Sequence, residues 1–222
     1  MHRRTTTTSG LVLSAVACLG LSACGGGDDP LTQEQASQAL LTEEDFPLEG
    51  FTAGEVQEGA AEEDAAAGEL LEDVPGADQF SDECLDALGT LESLDADFTA
   101  QSMVEFTGED TGASLLGPPT VQVIVASMEE GDNPLELIES LNSACDDITV
   151  EEEGMSMTMG FNEVEGDAQG TTISMGLLGQ TLEVTVAGRE DGGNYTVVTA
   201  VGLSAEELIS VLDAQDEKVA NL

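Results

Sequence analysis

The residues whose type and spacing could do chemistry are few. Met155, Met157 and Met159 alternate with Ser156 and Thr158. In a strand, a period of two puts all three thioethers on one face, and soft sulfur ligands suit Cu(I). The same alternation is how an ordinary strand sends apolar residues inward and polar ones outward, and methionine fills cores well. Core packing is therefore the preferred reading. Asp110-Thr111-Gly112-Ala113-Ser114 matches the signature of an aspartic protease. That chemistry needs two carboxylates sharing one proton, and no second Asp-Thr-Gly occurs. An acidic, glycine-rich link between two strands accounts for it. Glu151-Glu152-Glu153 and Asp146-Asp147 invite calcium, but no stretch has the ligand spacing and central glycine of an EF-hand loop, so they read as solvated faces. Arg189 beside Glu190 reads as a surface pair. No metal or cofactor is expected.

Four cysteines remain: Cys18, Cys24, Cys84 and Cys145. Two arginines, Arg3 and Arg4, precede an apolar run over residues 11–21. A basic start, a short apolar core and small residues before a cut make a secretory signal. The run is too short to span a bilayer, which takes about 20 apolar residues. It ends in Leu21-Ser22-Ala23-Cys24, which resembles the bacterial lipobox. The resemblance implies that Cys24 carries diacylglycerol, that residues 1–23 are removed, and that Cys24 begins the mature chain. Residues 24–30, rich in Gly and Asp, then form a flexible tether. Cys18 leaves with the signal. Cys84 and Cys145 are left as an even pair in an oxidising compartment and are expected to form a disulfide. It would close a loop of roughly 60 residues, worth about 4 kcal/mol by chain entropy.

Composition removes most other functions. The chain has 46 acids against four Lys and Arg, a formal charge of −42. Cleavage ahead of Cys24 removes Arg3, Arg4 and no acid, which takes the charge to −44. Such a field repels nucleic acid and bare anionic lipid, so any membrane attachment rests on the N-terminal lipid. His2, the one histidine, is lost with the signal. Serine or cysteine nucleophiles are then left without the usual base. No enzyme is expected.

The elements that must position these residues follow from periodicity. Residues 31–42 read as a helix capped by Thr32, with Gln35 completing a capping box. A short strand over residues 51–56 and an acidic low-complexity loop over residues 59–76 come next. Ser81 caps a helix over residues 81–94, whose Cys84, Leu88 and Leu91 share a face. Residues 99–107 and 120–128 read as strands. Asn133 and Pro134 start a helix that carries Leu137, Leu141 and Cys145 on one face. Strands are expected over residues 155–161, 171–175, 181–188 and 195–202. The last two are joined by the hairpin turn Asp191-Gly192-Gly193-Asn194. Ser204 and Glu207 open a closing helix. The class is α+β: a single domain over residues 31–222, with a mainly antiparallel sheet of about 5–7 strands flanked by helices.

That order of elements resembles the PknH-like extracellular sensor domains of actinobacteria. The resemblance rests on the segment LLTEEDFPLEGF, the cysteine pair and the closing helix GLSAEELISVLDAQDEKVANL. It implies a sheet flanked by helices around a ligand-binding cleft, and it supplies no catalytic residues. The expected function is a lipid-anchored, extracytoplasmic, sensor-like binding module at the cell membrane. Its partner would be a small ligand or a cell-envelope protein. A carrier of hydrophobic lipids and a carboxylate-based hydrolase are the alternatives.

Overall fold

The computed structural model describes residues 30–59, 79–92, 98–110, 117–128, 133–152, 155–164, 166–177 and 180–222. The expected signal, Cys24 and its tether up to residue 29, residues 60–76 of the acidic loop and Thr111 to Ser114 lie outside these. Among the described residues there are four helices: α1 (Gln33–Ala39), α2 (Asp82–Glu92), α3 (Pro134–Ala144) and α4 (Ala205–Ala220). The strands are β1 (Thr52–Ala53), β2 (Gln57–Glu58), β3 (Phe98–Thr107), β4 (Thr120–Met128), β5 (Ile148–Glu152), β6 (Met155–Glu163), β7 (Gln169–Leu177), β8 (Gln180–Asp191) and β9 (Asn194–Val201).

Each helix begins where a short polar side chain can serve the orphan N–H groups of its first turn. Thr32 and Ser204 form reciprocal capping boxes with Gln35 and Glu207. The Cys84 N–H donates to Ser81 Oγ at 3.1 Å. The Leu135 N–H donates to Asn133 Oδ1 at 2.9 Å, ahead of a helix whose first residue is Pro134.

All strand pairs are antiparallel, and the sheet runs β1-β3-β4-β9-β8-β7-β6-β5, with β2 also on β3. The class is α+β as expected, but nine strands exceed the 5–7 read from the sequence. The additions are β2 and β5. β2 is two exposed residues paired with β3, with Glu58 also accepting from Ser37 Oγ at 2.8 Å, so it carries no alternating pattern. β5 has the sequence ITVEE, and its glutamates had pointed to a solvated run. It is an edge strand, where charge is the usual protection against further pairing.

Register places the helices on opposite faces. Val123, Val198 and Ala187 are cross-strand partners on β4, β9 and β8. They share a core with Ala36, Leu41, Leu208, Val211 and Leu212 from α1, α4 and the segment between α1 and β1. Phe161 and Ile173 are partners on β6 and β7 and face the other way, because side chains alternate along a strand. They pack with Phe80, Cys84, Leu88, Leu141 and Cys145. The sheet is thus covered on one face over β3, β4 and β9 and on the other over β6 and β7. Cys84 and Cys145 are joined, with Cα atoms 4.6 Å apart, which ties α2 to the end of α3. LLTEEDFPLEGF lies on the first face: Phe46 stacks on Phe106 with ring centroids 4.0 Å apart and leans on Phe51 at 5.2 Å.

One buried amide joins the first helix to the last. Gln215 has no solvent exposure. Its Nε2 donates to Ala39 O at 2.7 Å and its Oε1 accepts from the Leu41 N–H at 3.0 Å. Those two backbone groups lie at the end of α1, where no helical partner exists.

Candidate functional site

The described residues form a half-open cleft of about 700 Å³, on the sheet face that carries α1 and α4. Its floor is Val125 of β4 and Thr196 of β9. Leu31 and Gln35, at the start of α1, form one wall. Asp216, Val219 and Ala220, at the end of α4, form the other. The β8–β9 hairpin closes one end with Arg189, Asp191 and Asn194. The volume lies within the usual range for small-molecule sites.

The wall formed by Leu31 is pinned. The Leu31 N–H donates to both Ser127 Oγ and Asn194 Oδ1 at 3.0 Å. Ser127 is fully buried and donates in turn to Asn194 Oδ1. Gln33 then grips β3: its Nε2 donates to Gln101 O at 2.7 Å and its Oε1 accepts from the Gln101 N–H at 3.1 Å. The first described residues are therefore fixed to the sheet at the mouth of the cleft. The hairpin beside them turns through Gly192 and Gly193, both at positive φ (59° and 81°), as the Asp-Gly-Gly-Asn sequence predicts.

Arg189 dominates the polar side. Its Nη1 lies 2.9 Å from Asp213 Oδ1 and 2.7 Å from Asp216 Oδ2, both on α4, and its Nη2 lies 2.7 Å from Asp167 Oδ1. The side chain keeps only 19% exposure. Burial works against its charge, but the three aspartates outweigh that and raise its pKa further, so it stays a cation. Its hydrogen bond holds the Asp167 carboxyl below the ordinary aspartate value. The surface pair with Glu190 expected from the sequence is not what forms. Glu190 lies on the opposite face of β8 and accepts from Asn133 Nδ2 at 3.3 Å, because neighbours along a strand point apart. Asp167, Asp213 and Asp216 were not singled out in the sequence. The spacing of the last two, three apart on a helix, was the available signal. Tyr195, the strand partner of Glu190, reaches the cleft only with its backbone: its ring packs on the opposite face with Met128 and Leu135, where burial, with the charges of Glu190 and Glu136, raises its pKa.

The other sequence candidates lie apart from the cleft. Cys84 and Cys145 are in the core on the opposite face. Met159 is buried in that same core, and the side chains of Met155 and Met157 are outside the described residues. Asp110 follows β3, and the rest of its motif is not described. Among the described residues, no three or more His, Cys, Asp or Glu side chains are grouped to hold a metal ion. A second, shallower hollow is bordered by Glu136, Glu139 and Glu163. Two amides beside it are already engaged: Asn142 Nδ2 donates to Gly170 O at 2.8 Å, and Gln169 Nε2 donates to Glu139 Oε2 at 3.1 Å. No described helix is long and apolar enough to cross a membrane.

No family model matches the chain, and no curated protein matches it in sequence. Four chains among the solved structures are similar to it. One is the extracellular domain of PknH from Mycobacterium tuberculosis: TM-score 0.52 and 13% identity, covering 88% of this chain and all of that one (100%). Another is an uncharacterized protein from Mycobacterium smegmatis, at TM-score 0.47 and 17% identity, covering 84% of this chain and 96% of that one. The resemblance to PknH-like sensor domains read in the sequence is therefore present in the fold.

Proposed function

We propose that this chain is a lipid-anchored, extracytoplasmic and non-enzymatic binding module. In this reading residues 1–23 are the signal, Cys24 carries the lipid, residues 24–30 are the leash and residues 31–222 form one domain. The observation that carries it is the cleft of about 700 Å³, built against the first residues to follow the leash. Residues 24–30 extend over at most about 24 Å, so the leash would hold the mouth of the cleft close to the bilayer. The fold shared with the extracellular domain of PknH supports the compartment.

The contents of the cleft favour binding over catalysis. The adjacent carboxylates of Asp213 and Asp216 both accept from Arg189 Nη1, an ion-paired arrangement rather than the proton-sharing pair a hydrolase would use. A lipid carrier would want a closed apolar cavity. This cleft is half-open and has Arg189, Asn194 and Asp216 in its walls.

Two measurements test the proposal. Replacing Cys24 by Ser should move the protein from the membrane fraction to the soluble one, and persistent membrane association would overturn the anchor. Native mass spectrometry of the protein taken from its own membranes should show a bound small molecule or partner. A bare chain that also fails to capture either from envelope extract would overturn the binding role.

A further inference from the structure

We infer that the cleft takes a small ligand with a cationic group on an apolar body, an alkylammonium in chemical class. This deepens the binding role proposed above and rests on it. Three features converge on the charge, the first and last sharing Asp216. Arg189 is outnumbered three to one by Asp216 in the wall and Asp167 and Asp213 just outside it, so this side of the cleft is net negative even with the ion pairs intact. Asp191 adds an exposed carboxylate at the hairpin end. The wall that carries Asp216 is the last turn of α4, Asp216 to Ala220. The carbonyl end of a helix carries about half a negative charge. Lys218, the one base in that turn, is turned away to Asp45 at 2.6 Å. An anionic ligand would meet this field with its only cation already committed. The walls supply the second half of the recognition: Leu31 and Val219, both half-buried, offer apolar surface to a short chain above the buried Val125.

The probes are octyltrimethylammonium, octyl glucoside and octyl sulfate, each below its micelle concentration. Binding to the mature protein is followed by calorimetry and by amide shifts. The ammonium should bind at least tenfold more tightly than the glucoside, with shifts at Leu31, Val125 and Thr196, and the sulfate should not bind. Asp191→Asn should weaken the ammonium about fivefold. Asp82→Asn, an equal charge change in the first turn of α2 on the far face, should leave it unchanged. This pair separates the cleft from the general attraction of an acidic protein for cations. Ala220→Trp, at an exposed position on the rim, should block every probe. Vesicles with a cationic aminoacyl headgroup, compared with neutral vesicles, distinguish a lipid source from a free amine, and preferential uptake of either supports the inference. Equal binding of glucoside and ammonium would overturn the charge preference and leave the binding role standing. Failure of every probe to shift the cleft residues would overturn the inference, while the binding role stands or falls by capture from envelope extract.

Discussion

Arg189 Nη1 and Asp216 Oδ2 stand 2.7 Å apart, and this contact joins strand β8 to the last helix across one wall of the cleft. The same nitrogen also holds Asp213, one helical turn away, so a single guanidinium fixes the face that α4 presents. A planar fork with several donors suits this task better than a point charge.

Arg189→Ala should therefore leave three aspartates facing one another without their cation. The site is partly exposed, which limits the cost to about 1–2 kcal/mol. Thermal melts should show a fall of a few degrees, partly recovered in 1 M NaCl, where repulsion is screened. Arg189→Lys should recover less than half of the loss. A Lys variant equal to the wild type would show that the fork geometry is immaterial.

Gln215 offers a sharper test of the core. Truncation to Ala strands the Leu41 N–H and Ala39 C=O in a buried setting and leaves a cavity, at about 2–4 kcal/mol. Gln215→Glu keeps the shape but removes the donor to Ala39 and buries a charge. It should be at least as destabilising at neutral pH and should improve as the pH falls. Urea midpoints at two pH values would read this directly.

Reduction of the Cys84–Cys145 disulfide, whose partners are 61 residues apart, should cost about 4 kcal/mol on the chain-entropy model. Hydrogen exchange should locate the loosening in α2 and α3, while α1 and α4, on the other face, keep their protection. Equal loss on both faces would mean that the two cores unfold as one unit.

The acid limb of stability carries a defined sign. Asp45 is held below its ordinary value chiefly by its hydrogen bond to Lys218, Asp167 by Arg189 and Glu207 by Ser204. A lowered carboxyl pKa means that the unfolded chain takes up its proton first as the pH falls. These contacts are thus fully present above about pH 4.5 and are lost below it. Glu207→Gln keeps the capping box without a titrating group. It should flatten the fall in stability between about pH 4.5 and pH 3. An acid limb identical to that of the wild type would count against the cap as a contributor.

Much of the scaffold could be read from the chain. Ser204 and Glu207, Thr32 and Gln35, and the Asp-Gly-Gly-Asn turn each specify local geometry through contacts within a few residues. Val121, Val123 and Val125 alternate because β4 buries one of its faces in the core. β2 and β5 were missed for a physical reason. An edge strand is held by its neighbour's backbone, and its own side chains need not follow a pattern. The resemblance implied a cleft, but its residues escaped notice for a related reason: Leu31, Val125, Arg189 and Asp216 are brought together by sheet order and helix docking, which leave no local mark.

Caps, turns, most of the strands and the acidity were legible in the chain, because these depend on side-chain type and near-neighbour spacing. The sequence also limited the chemistry, since no histidine follows His2. Only the tertiary structure decided that Arg189 turns from Glu190 to three aspartates, that the two helix pairs cover opposite faces, and that a cleft lies between the start of α1 and the end of α4. Those outcomes depend on strand register and on which face each helix covers, and both are settled only when distant segments pack together.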